Sequence, residues 1–327
     1  MAVSADTGAW TVAKLLASMQ AYFTSRHIAS ARLDAELLLG RTLGVSRIYL
    51  YTHLDQPISA TERAVLRGLT LRRAAYEPMA YILGTQEFYS RDFAVNVDVL
   101  IPRPETEHVV EAALAWAGSD RERPLRVLDV GTGCGTLAVT LAAELPKAEV
   151  VATDLSAAAL AVARTNATAH GVSGRLTWHC GDVFAALPSA TPPFDIIVSN
   201  PPYITTAARP TLPPDVVRYE PAGALFSGAD GLGVLRRLCA DAKQWLKPQG
   251  FFATEIGYDQ SASVTALLTG GGWDAVASVL DLQGHQRVVT ARRGAAPAPV
   301  TVQIEGPEDQ RDTHGRDLDV DAMAPHE

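Results

Sequence analysis

Asn200-Pro201-Pro202-Tyr203 is the stretch of this sequence best equipped for chemistry on a nitrogen. An apolar, β-branched run, Phe194-Asp195-Ile196-Ile197-Val198-Ser199, leads into it and stops abruptly at the asparagine. That run has the composition of a buried parallel strand, so its end falls at the carboxyl edge of a sheet, where open α/β folds take their ligands. The two prolines fix the backbone and remove two N–H donors, which releases the Asn200 and Pro201 carbonyls from local ladder bonds. Asn200 adds a side-chain acceptor and donor, and Tyr203 a flat apolar face. Such a site can hold a planar group bearing an NH2 while the nitrogen lone pair points elsewhere. An Asn-Pro-Pro turn that merely closes a strand accounts for the same residues.

A second constellation lies upstream. The strand Arg126-Val127-Leu128-Asp129-Val130 runs into Gly131-Thr132-Gly133-Cys134-Gly135 and then a helix from Thr136 to Glu144. Glycines there permit a tight turn and close backbone approach by a ligand. A following strand, Glu149 to Thr153, ends at Asp154, 23 residues after Gly131. That is the spacing of an acid that grips a ribose diol, so the pair points to a nucleoside-bearing cofactor. No Gly-Lys-Ser/Thr follows, which excludes a triphosphatase loop. The next strand, Leu176 to Cys180, precedes Asp182, Val183 and Phe184. Asp182 can accept the exocyclic amine of an adenine with Val183 or Phe184 against the ring. A helix cap at Asp182 explains it equally well.

The elements that position these residues alternate: strand, helix, strand, helix, strand, strand, then helix Gly233 to Leu246 and strand Phe251 to Ile256. Helix Ser261 to Leu268 and a hairpin of strands near Ala275 to Leu280 and Arg287 to Thr290 close the pattern. It predicts an α/β fold with a mostly parallel sheet and an antiparallel final hairpin. A proline-rich stretch from Tyr203 to about Ser227, containing Tyr219-Glu220-Pro221, is longer than a connection requires and reads as a lid or substrate rim.

Upstream, residues 11–84 are helical in pattern: Leu15, Leu16, Met19 and Tyr22 share a face, as do Leu33, Leu37 and Leu38, and Ser59-Ala60-Thr61-Glu62 reads as a capping box. The arginines of this part read as solvated helix faces or a docking surface. Residues 85–100 alternate as a β-hairpin bridge, and Ile101 to Glu107, with Arg103 between prolines, stiffens the approach to a helix beginning at His108. The chemistry is thus expected in residues 101–293, with 1–10 a flexible start and 294–327 a disordered tail.

Of the total charge of −8, residues 294–327 carry −6, with eight acids and two arginines, and the other 293 residues only −2. Residues 1–80 hold nine bases against six acids. Nothing here has the strength of the basic stripe that a long nucleic-acid duplex calls for. Three cysteines, at 134, 180 and 239, suggest neither a disulfide scaffold nor a metal cluster. No apolar run is long enough to span a membrane, and Met1 to Thr11 is unlike a secretory signal, so the cytoplasm is the expected compartment.

Taken together, Ile101-Pro102-Arg103-Pro104-Glu105-Thr106-Glu107, Asp129 to Gly135, Asn200 to Tyr203, Tyr219-Glu220-Pro221, Gly228-Ala229-Asp230-Gly231 and Leu282-Gln283-Gly284-His285-Gln286-Arg287 strongly resemble the release factor glutamine methyltransferase family. The resemblance covers residues 11–293. Cys134 departs from the Ser found there in many relatives, and the tail is outside the family pattern. The resemblance implies a class I, Rossmann-like, mostly parallel seven-stranded sheet that binds S-adenosylmethionine through Gly131, Thr132, Gly133, Cys134, Gly135, Asp154, Leu155, Asp182, Val183 and Asn200. It implies transfer of the methyl group to the side-chain nitrogen (N5) of the glutamine in the Gly-Gly-Gln loop of peptide chain release factors. Asn200, Pro201 and Tyr203 are the catalytic candidates, Pro202 and Arg103 join them as substrate contacts, and Tyr203 would wall the pocket. No metal, membrane or stable nucleic-acid partner is implied, and a monomer is expected.

Overall fold

The computed structural model describes residues 9–295; nearly all of the tail expected at 294–327, and most of the expected flexible start, lie outside the described residues. The chain begins with helices α1 (Val12–Ser25), α2 (Ala31–Leu43), α3 (Arg47–Thr52), α4 (Ala60–Ala74) and α5 (Met79–Leu83). Ser59 and Glu62 form the expected capping box at the start of α4. Leu16, Met19, Phe23, Leu38, Leu39, Leu50 and Leu66 make the core of this part. The buried stripe of α2 differs from the expected one: Leu33 is exposed, while Asp34 and Glu36 point inward. Each acid is buried because it has basic partners. Arg73 Nε donates to Asp34 at 2.7 Å, and Arg32, Arg47 and the Tyr51 hydroxyl all donate to Glu36. Four arginines expected on solvated faces or a docking surface therefore have structural duties, since Arg72 is also paired, with Glu77.

The hairpin β1 (Thr85–Phe88) and β2 (Arg91–Ala94) follows. It is docked rather than free: Phe88 and Phe93 sit in the core of the sheet region, and Asn166 exchanges hydrogen bonds with the Ala94 backbone.

The remainder consists of α6 (Glu107–Ala117), β3 (Arg126–Val130), α7 (Thr136–Glu144), β4 (Glu149–Asp154), α8 (Ala157–Ala169), β5 (Leu176–Cys180), β6 (Phe194–Ser199), α9 (Pro214–Tyr219) and α10 (Ala222–Leu225). It closes with α11 (Gly233–Trp245), β7 (Leu246–Glu255), α12 (Ser261–Gly270), β8 (Asp274–Leu280) and β9 (Gln286–Arg292). The seven strands β3 to β9 form one sheet in the order β5-β4-β3-β6-β7-β9-β8, with β9 antiparallel to both neighbours and the other neighbouring pairs parallel.

Both faces are covered, and the strand alternation shows it residue by residue. Val127, Ile196 and Val198 pack beneath α6, α7 and α8, while Leu128 and Ile197 pack beneath α11 and α12. Burial on both faces explains why these strands are continuous apolar runs. The strand order reverses direction of growth between β3 and β6, which opens a crevice at their carboxyl ends. Register does the rest. Val130 pairs with Thr153 on one side and Ser199 on the other, so Gly131, Asp154 and Asn200 emerge side by side at one edge.

Candidate active site

At that edge lies a cavity of about 310 Å³, within the size range of small-molecule sites. Gly131, Thr132, Gly133, Cys134, Asp154, Leu155, Asp182, Val183, Asn200, Pro201 and Pro202 all line it. The floor is the β3–α7 loop. Gly131 and Gly133 take left-handed φ of 75° and 56°, and a Cβ built on either would meet nothing within 4 Å, so space stands open above the backbone. The loop is pinned from below by buried Asp129, whose Oδ2 accepts from the Thr132 hydroxyl at 2.6 Å and the Ala138 N–H at 3.1 Å. Burial pushes the Asp129 carboxyl up to about 7. Gly135 does not line the cavity. Its role is packing, because a Cβ there would stand 3.1 Å from that of Ala163 on α8.

Asp154 at the end of β4 accepts from the Gly133 N–H and the Ser156 N–H, each at 2.8 Å. Each oxygen retains a lone pair, and burial raises the group above the usual carboxylate range. A carboxylate held by its own loop beside an open glycine turn fits the diol of a nucleoside. Asp182 follows β5 at the rim, where its carboxylate pairs with Arg237 of α11. Val183 starts a short 3-10 turn with φ 50°. Loop, acid and apolar rim together suit a nucleoside-bearing ligand.

Asn200 faces this cavity from the end of β6. Its Nδ2 donates to Thr106 Oγ1 at 2.9 Å, and the Thr106 hydroxyl donates to Glu255 Oε2 at 2.5 Å. Thr106 lies just before α6, and Glu255 ends β7, the strand beside β6. The Tyr203 hydroxyl donates to the other oxygen of Glu255 at 3.1 Å. Burial pushes the Glu255 carboxyl up to about 7, and burial next to Glu255 raises the Tyr203 phenol. Tyr203 therefore does not wall the cavity as expected. It packs against the α11/α12 side of the core and clamps Glu255 from behind. Thr106 and Glu255 were not among the sequence candidates for the site. The signal available was an acid ending the strand soon after the apolar Phe251-Phe252-Ala253 run.

Arg103, the other expected substrate contact, is not at the cavity either. Its guanidinium pairs with Glu220, which is buried and also accepts from the Ile101 N–H at 3.1 Å. Glu220 belongs to the proline-rich segment between Tyr203 and Ser227. That segment is not a plain loop but a 3-10 turn, Thr206–Thr211, followed by α9 and α10. Pro214 occupies the first position of α9, where a missing N–H costs nothing. Pro221, Gly223 and Ala224 roof the cavity.

Residues 14–84 match the model of the PrmC N-terminal domain, and residues 119–213 that of the methyltransferase small domain. A release factor glutamine methyltransferase of Geobacter sulfurreducens is 42% identical over 87% of this chain and 98% of its own length. The chain belongs to the release factor glutamine methyltransferase family. Another member, from Bordetella pertussis, is 46% identical over 79% of this chain and 93% of its own. Among solved structures, the hMettl16 catalytic domain, in complex with a 3'UTR hairpin, superposes with a TM-score of 0.53 at 16% identity, covering 86% of this chain and 94% of that one. At that identity the likeness bears on the fold, which is that of class I methyltransferases. Family membership accounts for the helical region, the seven-stranded sheet and an S-adenosylmethionine-sized cavity at one edge. Among the described residues, no helix is long and apolar enough to cross a membrane.

Proposed function

We propose that this chain transfers a methyl group from S-adenosylmethionine to the side-chain amide nitrogen of the glutamine in the Gly-Gly-Gln loop of peptide chain release factors, in the cytoplasm and as a monomer. The observation that carries the reading is the Asn200 carboxamide. One N–H of its NH2 is donated to Thr106, which turns its Oδ1, accepting no hydrogen bond from the described residues, to receive an N–H at the cavity edge.

The cofactor supplies an electrophilic methyl group on a sulfonium. The chain supplies placement. An amide nitrogen is a poor nucleophile because its lone pair is delocalised into the carbonyl. Asn200 Oδ1 and the Pro201 carbonyl, accepting from the two N–H bonds of the substrate amide, hold that nitrogen in one orientation and favour the positive charge that develops on it as the N–C bond replaces the C–S bond; loss of one N–H proton to water then leaves the neutral methylated amide. The glycine loop and Asp154 hold the nucleoside, and Pro202 borders the acceptor. Residues 11–84 serve release-factor recognition and residues 101–293 chemistry, with 85–100 joining them; a stable nucleic-acid partner has no place in this scheme.

The test is Asn200→Ala with single-turnover kinetics on release factors carrying Gln or Glu in the Gly-Gly-Gln loop. The parent methylates the Gln form and not the Glu form. Asn200→Ala still binds S-adenosylmethionine, whose main contacts are the glycine loop and Asp154, and loses at least about 100-fold in rate, on the scale of a missing oxyanion-hole donor. Methylation of the Glu form, or of DNA adenine in its place, would overturn the assignment.

A further inference from the structure

A carboxamide reads the same in outline whichever way it is turned, yet its two ends have opposite hydrogen-bonding character. If Asn200 presented its NH2 to the cavity, it would welcome a carboxylate and repel an amide N–H. Something must hold the correct end outward, and Asn200 has no side-chain partner on its own strand.

The partner is two steps away. An ionised carboxylate can only accept, so with Glu255 ionised the Thr106 hydroxyl must spend its one proton on Glu255 Oε2. The oxygen of Thr106 is then an acceptor for Asn200, and only Nδ2 can fill that role, as it does at 2.9 Å. The Tyr203 hydroxyl fills the remaining side of Glu255. Thr106 is 2% and Glu255 1% exposed, so water does not compete for either. The other charged groups that act on Glu255 are Glu105, beside Thr106, and Arg287 on β9, of opposite sign.

We propose that Thr106 and Glu255 are positioning residues whose one-way hydrogen-bond chain fixes the orientation of the Asn200 carboxamide and so makes the site selective for an amide NH2 over a carboxylate. The inference rests on the proposed release-factor reaction. Protonation of Glu255 removes the constraint: its O–H can donate to Thr106, which can then donate to a flipped Asn200. The buried carboxyl, pushed up to about 7, crosses that boundary near neutrality. Its ionised fraction, and with it the correctly oriented Asn200, grows as pH rises through that value.

Thr106→Val keeps shape and removes the hydroxyl, Thr106→Ser restores it, and Glu255→Gln removes the titration while keeping the volume. Single-turnover rates at saturating Gln-form release factor and S-adenosylmethionine are followed from pH 5.5 to 8.5. Thr106→Val falls about tenfold or more in rate, the worth of one net hydrogen bond or slightly above, with cofactor affinity held, and Thr106→Ser recovers most of the loss. The parent rate rises with pH through an inflection near 7. Glu255→Gln lacks that inflection. A Thr106→Val rate within twofold of the parent, a Thr106→Ser rate no better than Thr106→Val, or an inflection that persists in Glu255→Gln would each overturn the chain. A parent that fails to methylate the Gln form at all would instead overturn the proposed function, so the two failures are separable.

Discussion

At the scale of single residues, the acids of the site have different tasks. Asp154 holds the glycine loop with two 2.8 Å backbone bonds and keeps lone pairs for a ligand. Asp154→Ala should weaken S-adenosylmethionine binding about 10- to 100-fold by calorimetry, the range for hydrogen bonds to a charged group; an unchanged affinity would remove it from the site. Glu255 carries a cost that Asp154 shares only in part. Its folded carboxyl, at about 7, lies above the ordinary 4.5, so its contribution to stability is present below pH 4.5 and is lost as pH rises through 7. Glu255→Gln should therefore melt higher than the parent at pH 8.5, with a gain that shrinks toward pH 5. A gain that grew on acidification would contradict this sign. Stability and activity are expected to move in opposite directions at this one position. The Asn200 motif was legible in the sequence because its chemistry is contiguous. Thr106 and Glu255 were not, because they stand 149 residues apart and meet only through the packing of α6 beside β7.

At the scale of elements, the segment between β6 and α11 is tied at three places. Glu220 links it to the strap before α6 through Arg103 and the Ile101 N–H. Ile204 and Ser227 close its base, with Ile204 N–H donating to the Leu225 carbonyl and Ser227 N–H to that of Ile204, each at 2.9 Å. Tyr219 and Arg218 reach the helical region. Glu220→Ala should cost about 2–4 kcal/mol in denaturant unfolding, because it strands both a buried N–H and a guanidinium. Arg103→Ala should cost less, since its side chain is 35% exposed against 1% for Glu220. Equal losses would mean the Ile101 bond is immaterial. The sequence made the sheet readable, strand by strand, because burial on two faces leaves an unbroken apolar run. It hid this segment's helices, because prolines at 213, 214 and 221 advertise a loop while also suiting helix starts.

At the scale of the whole molecule, the helical region has a core and buried ion pairs of its own, besides its proposed role in docking. Asp34 and Arg73 are 2% and 8% exposed, and breaking such a pair costs about 3–5 kcal/mol. Arg73→Glu should thus unfold the helical region, as circular dichroism would register. Arg67, exposed on α4, is the better probe of recognition: Arg67→Glu should raise KM for the release factor and leave kcat near the parent's. Reversed outcomes would return Arg73 to the surface. Charge alone could not separate these two arginines in the sequence, since burial depends on what α2 presents to α4. The end of α4 also meets the roof of the cavity. The Tyr219 hydroxyl donates to the Ala75 carbonyl at 3.0 Å, and Arg218 lies over the Tyr76 ring at 5.5 Å. α9 thus rests on the helices, while Pro221 and α10 next to it roof the cavity. If occupancy of the cavity shifts this seam, linkage requires that a partner seated on the helices change the cavity's affinity by the same factor as the occupant changes the partner's. Tyr219→Phe removes the hydrogen bond to the Ala75 carbonyl and leaves the Arg218–Tyr76 contact in place, so it should weaken any such linkage, read as a smaller change in cofactor affinity when the release factor is present.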